Sequence, residues 1–468
     1  MKKSTKIYLG PPGTGKTHKL MDIMQEELKT VPPQRIAFLS FTKKAVEEAI
    51  DRAVSRFKFK KVDFIYFKTV HSLAFNVLGL KRDKIMQAKD YQKIGEHLGL
   101  EFTEVGALDG TSLMDKPRGD RYIFIHGFSR ARCINPKVVW DMINHDNLNW
   151  FEYLRFEKTV TKYKNQHNMF DFADMLFIEH DPIDVDVLII DEAQDLSTAQ
   201  WKYIQRTFAN VPRVYIGGDD DQAIYEWGGA DVDFFIQLQG ERCVLESSFR
   251  LPESVHKIAE GISSKIQHRT SKPYQSKPEA GHVEYWNDLE HIDMSTGSWL
   301  LLARNTHYLK KFVANVRDRG YNYMLKGRPG VAKIDVKAIL AWEEYRKTGV
   351  LTPKDKLLLQ DYTSTWNKAK IWHEAFDKIS PYQLEYYVSM LRRGESLTKP
   401  PRVTISTIHG AKGGEADNVV LLTDMTATTW DAMSLNMDAE HRVWYVGATR
   451  AREALHIMMP QSRYFYQI

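Results

Sequence analysis

The sequence predicts an α/β protein built on two tandem parallel sheets with helical insertions. Two sets of short β-rich runs alternate with helical stretches, and most of the runs are continuously apolar, as strands covered on both faces are. The first set is "KIYLG", "RIAFLSF", "FIYFKTV", "VDVLIID" and "RVYIGG"; the second is "HVEYWND", "SWLLLAR", "RVTISTI", "NVVLLTD" and "ALHIMM". Between the third and fourth runs, from Leu80 to about Pro182, Trp140, Trp150 and Tyr153 stand at helical spacings and predict an inserted helical subdomain. A smaller helical insertion, "TGVLTPKDKLLLQDYTSTWNKAKIWHEAFDKIS" onward, stops before Pro400 and Pro401. The expected boundaries are 1–80 and 168–247 for the first sheet domain and 81–167 for its insertion. The second sheet domain is expected at 248–347 and 400–468, with 348–399 as the short insertion. The stretch 267–281, "QHRTSKPYQSKPEAG", reads as an exposed loop, and basic clusters such as "RFKFKK" read as solvated faces.

Composition narrows the function classes. With 43% hydrophobic and 27% charged residues in 468, the chain has the balance of an ordinary globular protein with room for several cores. A net charge of +5 permits a polyanionic partner without demanding one. Two distant cysteines, Cys133 and Cys243, exclude a disulfide framework or a cluster held by cysteines, and a reducing cytoplasm suits them. The start, "MKKSTKIYLGPPG", lacks the apolar core of a leader, and no later run approaches a membrane span, so a cytoplasmic protein with no membrane partner is expected.

Directly after the first run stands "GPPGTGKT": Gly10, Pro11, Pro12, Gly13, Thr14, Gly15, Lys16 and Thr17, with His18 following. Glycines let successive backbone N–H groups face phosphate oxygens, Lys16 adds positive charge at the β and γ positions, and the Thr17 hydroxyl suits Mg²⁺. The strand-then-helix setting favours nucleotide binding over a chance turn. The fourth run ends in "LIIDEAQD", placing Asp191 and Glu192 where a buried strand emerges. Asp191 can hold Mg²⁺ and Glu192 can orient or deprotonate an attacking water; the bland alternative is a solvated turn. A third stretch, "GGDDDQAIYEWGGAD" from Gly217 to Asp231, combines three aspartates with Gln222, Tyr225 and Trp227. A surface turn gains little from two large aromatics, so a partner with a flat apolar face is implied.

With those motifs placed, the sequence resembles the UvrD/Rep-like superfamily 1 helicases. "SFTKKAVEEAIDR", "TVHSLA", "FDFADML", "GDDDQAIYEWGGA", "SSFR", "STIHGAKGGEADNVVLL" and "WYVGATRARE" follow in the family's order and cover both sheet domains. The resemblance implies two RecA-like motor domains and an ATP- and Mg²⁺-dependent translocase and helicase on single-stranded DNA. It further implies 3′ to 5′ polarity, action at single/double-strand junctions, and replication, repair or recombination as the setting, with proteins of those pathways as possible partners.

Residue by residue, Gln222 resembles the family's γ-phosphate sensor, and Arg250 and Arg450 its γ-phosphate arginines, both expected across a cleft from the P-loop; surface salt bridges are the alternative. Phe249 stands where the family stacks a tyrosine on adenine, though it could equally be a core residue. Glu415 matches a glutamate near the ribose. Tyr225 and Trp227 resemble the stacking residues for single strands, which are sequence-tolerant because every base has a π-face. Phe41, Thr42, Thr69, His71, Thr407 and His409 match the remaining DNA-contacting motifs, with hydroxyls suited to phosphate oxygens. His71 and His409 serve as well as hydrogen-bonded structural histidines.

The chain departs from the family's pattern in two places. The nine residues before Gly10 hold no adenine-reading glutamine, so weak discrimination between purine triphosphates is expected. The second insertion is short, so it is expected to be dispensable to the motor, leaving strand separation to a wedge near Trp140 to Tyr153. No nuclease motif is evident. A DNA-stimulated clamp without directional movement is the rival reading; a small-molecule kinase would leave the second set of motifs unexplained.

Overall fold

The computed structural model describes residues 4–57, 59–103, 116–143 and 146–468. Residues 104–115 and 144–145 of the expected first insertion, and Lys58 of "RFKFKK", lie outside the described residues. The chain forms two compact units, Met1–Glu279 with Asp431–Val446, and Ala280–Trp430 with Gly447–Ile468. The expected boundary at 247/248 therefore moves to 279/280. The reason is local: a sixth strand, Glu241–Val244, pairs with the first strand, and the segment beyond it is bonded to the P-loop and to the aspartates of the 217–231 loop.

The first unit carries six parallel strands: β1 (Ser4–Leu9), β2 (Ile36–Ser40), β3 (Phe67–Thr69), β4 (Val187–Asp191), β5 (Arg213–Gly218) and β6 (Glu241–Val244), in the order β3-β2-β4-β5-β1-β6. "FIYFKTV" is mostly not strand; only its last part pairs with β2. β2 and β4 are buried throughout, as their unbroken apolar runs require. Ile7, Leu9, Leu188 and Ile190 face one core, and Phe38, Ile189 and Val187 face the other. Helices α1 (Lys16–Glu27), α2 (Lys43–Phe57) and α3 (Val70–Val77) follow the first three strands. Because β4, β5 and β1 are adjacent and parallel, the loops after them open side by side on the carboxyl edge of the sheet.

Within the first insertion, α4 (Ala88–Leu98), α5 (Arg118–Arg132), α6 (Pro136–Met142) and α7 (Trp150–His167) enclose a core of their own built on Tyr122, Trp140, Tyr153 and Phe156. Trp140 and Tyr153 are buried in it; among the described residues, the large apolar side chains this insertion exposes are Val138, Met142, Phe151 and Leu154 instead.

The second unit holds β7 (His282–Trp286), β8 (Trp299–Ala303), β9 (Tyr323–Leu325), β10 (Arg328–Pro329), β11 (Val403–Thr407), β12 (Ala416–Leu422) and β13 (Ala451–Met458), in the order β10-β9-β11-β8-β12-β13-β7. All pairs are parallel except the β9–β10 hairpin. The short insertion is not separate here. Leu359, Phe376, Tyr386, Tyr387 and Met390 share one core with Leu301, Val403 and Ile405 of the sheet.

Candidate functional site

At the end of β1 the chain turns through Gly13 and Gly15, both with positive φ (73° and 78°), and enters α1 at Lys16. A side chain at either position would be strained, and at Gly13 a Cβ would also stand 2.3 Å from the Arg250 Cβ. At Gly10 a Cβ would lie 1.8 Å from the Lys16 side chain, which folds back to donate from Nζ to the Gly10 carbonyl at 2.9 Å. Thr14 Oγ1 closes the loop on the Pro11 carbonyl. The result is a helix N-terminus preceded by glycines, an arrangement that can hold a polyphosphate. His18, exposed on the first turn, pairs with Asp22.

Facing the loop, Thr17 Oγ1 donates to Asp191 Oδ2 at 2.8 Å, and Glu192 N–H donates to Asp191 Oδ1 at 2.9 Å. Burial, and then the neighbouring Glu192, push the Asp191 carboxyl above the ordinary aspartate range. A hydroxyl and a carboxylate side by side next to a phosphate cradle are hard oxygen donors of the number a Mg²⁺ ion takes from protein when phosphates and waters fill the rest, so Thr17 and Asp191 fit that ion. Glu192 has φ 52°, a sparsely populated region for a non-glycine residue and one that recurs at reactive positions. Its Oε2 accepts a bond from Gln194 Nε2 at 2.5 Å.

The 217–231 loop answers for its composition in two halves. Its aspartates are anchors. Lys272, almost wholly buried, reaches Asp220 Oδ1 at 2.6 Å, Asp221 Oδ2 at 3.0 Å and Asp219 Oδ1 at 3.3 Å. Burial opposes the Lys272 charge, but Asp219, Asp221 and Asp220 outweigh it and raise its pKa above the ordinary lysine value. Arg269 makes a two-pronged pair with Asp221, and Thr270 N–H donates to Asp220. Arg442 donates to the Asp220 carbonyl and pairs with Glu226. The stretch 267–281 is thus exposed along much of its length, as expected, but is pinned to the aspartates through Lys272, Arg269 and the Thr270 N–H. Gln222 lies just beyond, buried, donating from Nε2 to Asp219 Oδ2 at 2.7 Å.

The aromatic half of the loop lines a cavity of about 550 Å³ between the sheet and the first insertion, within the first unit. Phe41 and Tyr225 stack at 5.3 Å, Tyr225 and Trp227 meet edge-on at 6.1 Å, and His71 meets Phe172 edge-on at 5.8 Å. Phe172, Phe124 and Phe128 join the wall; Phe172 is 60% exposed, and its place in "FDFADML" was the only signal for it. Four of the residues expected to bind DNA, Phe41, His71, Tyr225 and Trp227, therefore share one wall. Burial holds the His71 pKa down to about 4, and Nδ1 stands 3.4 Å from Gln200 Nε2, a partner that suits the structural reading, while the residue also lines the cavity. Thr42 and Thr69 spend their hydroxyls locally, accepting Ala45 N–H at 3.2 Å and Ser72 N–H at 3.3 Å to cap α2 and α3.

Residues 2–242 match the UvrD/REP helicase N-terminal domain, and residues 383–462 the UvrD-like helicase C-terminal domain. The chain belongs to the UvrD/REP helicase family. Among relatives, an ATP-dependent DNA helicase Rep of Buchnera aphidicola is 21% identical over 297 residues, 59% of this chain and 43% of that one. An ATP-dependent DNA helicase PcrA of Bacillus subtilis is 23% identical over 345 residues, 65% and 43%. A probable DNA helicase II homolog of Rickettsia felis is 23% identical over 463 residues, 85% and 67%. This chain thus spans under half the length of the Rep and PcrA relatives it matches. A solved arterivirus nonstructural protein 10 (helicase) with DNA aligns over 98% of this chain and 62% of that one at 11% identity, with a TM-score of 0.36, too low to bear on the fold.

One of the residues matched to this UvrD/REP pattern, Arg250, departs from its expected setting. Ser248 Oγ donates to the Pro12 carbonyl at 2.7 Å and Phe249 N–H to the Gly13 carbonyl at 2.9 Å, so "SSFR" rides on the P-loop in the first unit. Arg250 is therefore beside the P-loop and not across a cleft from it. Phe249 is 80% exposed there, which removes the core reading and leaves its ring open to a base. In the second unit, Arg450 is buried, with Nη1 on the Gly414 carbonyl at 3.3 Å and Nη2 on Thr449 Oγ1 at 3.2 Å. Glu415, next to Gly414, is exposed and lies 3.6 Å from Arg452. Thr407, at the end of β11, accepts Gly410 N–H and is buried, as is His409.

Proposed function

We propose that this chain is an ATP-dependent DNA translocase and helicase that moves 3′ to 5′ along single strands and acts at single/double-strand junctions. The observation that carries the reading is the continuity of one loop: it leaves β5, the neighbour of β1 and its P-loop, carries Gln222, and three residues on Tyr225 lines the aromatic cavity. ATP lies with its phosphates on the N–H groups of Gly13 to Thr17 and with its base against Phe249. Thr17 and Asp191 would hold Mg²⁺, which would supply charge neutralisation to the phosphates. Glu192 orients a water for attack on the γ-phosphorus and takes its proton as the bond to the β–γ bridging oxygen breaks, leaving ADP and phosphate. Gln222, Arg250 and Arg450 carry the γ-phosphate contacts of the family, and Glu415 a ribose contact. Bases stack on Tyr225, Trp227 and Phe41, with Thr407 and His409 as further strand contacts. Replication, repair or recombination, with their proteins as partners, is the setting this activity suits.

Displacement of streptavidin from oligonucleotides biotinylated at one end or the other tests this directly. The reading requires ATP- and Mg²⁺-dependent release from the 5′ end only, absent in Lys16→Ala. Tight ATP-dependent DNA binding without release from either end would establish a clamp instead.

A further inference from the structure

Gln194 is fully buried behind the turn that follows β4, and both ends of its amide are used. Nε2 donates to Glu192 Oε2 at 2.5 Å and lies 3.4 Å from Asp195 Oδ2, while Oε1 accepts the Asp219 N–H at 3.0 Å. Those partners set the orientation of the amide, since a flipped group would turn its oxygen on two carboxylates and its NH₂ on a backbone N–H. One bond further, the Asp219 carboxylate accepts Gln222 Nε2 at 2.7 Å and Asp221 N–H at 3.2 Å. Gly218 makes the room: a Cβ there would stand 2.9 Å from Gln194 Oε1 and 2.6 Å from the Phe235 ring. Glu192 thus sits at a strained φ of 52° with a side chain tethered to the neighbouring loop.

Building on the ATPase reading above, we propose that Gln194 is a positioning residue that aims the Glu192 carboxylate and ties that aim to the loop Gly217–Asp231. One tethered oxygen fixes the direction of the carboxylate, and the tether's other end is the loop that carries Gln222, Tyr225 and Trp227. Stacking of a base in the aromatic cavity biases the loop, and the amide carries that bias to the group that activates water. Gln194 touches neither ATP nor DNA; it acts through Glu192.

Gln194→Met and Gln194→Glu, measured beside the parent and Glu192→Gln, test this. Removing the amide should cut the DNA-stimulated kcat about 10- to 100-fold, with ATP and single-strand dissociation constants within about threefold of the parent. In Gln194→Glu the new carboxyl lies buried against Glu192 and Asp195, which holds its proton on, so it donates as the amide did. Its kcat should stay near the parent at low pH and fall as pH rises and that proton leaves, a limb the parent profile lacks. A Met variant with kcat within about twofold of the parent would overturn the proposal. So would a loss matched by equal losses of ATP affinity and melting temperature, or a Glu variant with the parent's pH profile. A parent without DNA-stimulated hydrolysis, or Glu192→Gln turning over at the parent rate, would instead overturn the ATPase reading and take this proposal with it.

Discussion

The two insertions look alike in sequence and are held in different ways. The first encloses its own core, in which Tyr122, Tyr153 and Phe156 pack on one another. It meets the rest of its unit through an ionic seam, where Arg130 and Lys164 both bond Asp171 and Asp174 at 2.6–3.0 Å. The second insertion has no such independence. Trp342 donates from its indole to the Lys370 carbonyl and packs on Trp366 and Phe376, while Tyr387 bonds Asp335. A module bounded by charges and a cavity can be altered without unfolding its host, whereas a segment that supplies core aromatics cannot.

The largest break in that contrast comes from the second insertion. Replacing Thr352 to Leu397 by a short linker would strip the Leu359, Tyr386, Tyr387 and Met390 side chains from the β8–β11 core, so the second unit should fail to fold instead of being left a working motor. Tyr387→Ala alone should cost about 3–5 kcal/mol, read by denaturant unfolding. A deletion with an unchanged melting profile would show the core to be separable after all.

At the seam of the first insertion, Arg130→Met should cost less, about 2 kcal/mol, because Lys164 still pairs with both aspartates. The core around Tyr153 should persist, so near-ultraviolet circular dichroism of the insertion aromatics should keep its native signal. Collapse of that signal would mean that the insertion depends on its host.

The smallest effect is in pH. His71 holds its proton only below about 4 when folded, against an ordinary value of 6.5, so the unfolded chain binds an extra proton between those values. Stability from this group is full above about pH 6.5 and is lost as pH falls towards about 4. His126, across the same cavity, has the opposite sign: burial opposes its charge, but Asp171 and Glu157 outweigh it and raise its pKa. His71→Asn should flatten the fall in melting temperature between about pH 7 and pH 5, by on the order of 1 kcal/mol, and His126→Asn should steepen it. Equal slopes in both variants would remove the histidines from the account.

What could be read from the sequence was what is local. "GPPGTGKT", "DEAQD" and the Tyr225–Trp227 pair are each patterns of a few neighbouring residues, and the continuously apolar runs became β2, β4 and β8, strands buried throughout. The short strands β6, β9 and β10 were not legible, since two to four residues carry no period. Nor was the role of the three aspartates, whose neutralising Lys272 stands about fifty residues away among other lysines. Thr42 and Thr69 show the converse limit. A hydroxyl at a helix start suits a cap as well as a phosphate, and the capping bonds, invisible in the sequence, use these oxygens as acceptors. The helical pattern of 348–399 likewise says nothing about which core it joins.

Hydrolysis of ATP by Trp227→Ala, with and without a single-stranded oligonucleotide, tests the coupling of the two halves of the 217–231 loop most directly. The account predicts a DNA-free rate within about twofold of the parent, because Lys16, Thr17, Asp191 and Glu192 are untouched. Stimulation by DNA should fall at least about tenfold as a stacking contact of roughly 1–3 kcal/mol is lost. Full stimulation with unchanged DNA affinity would contradict it and return Trp227 to the ordinary packing of the cavity wall.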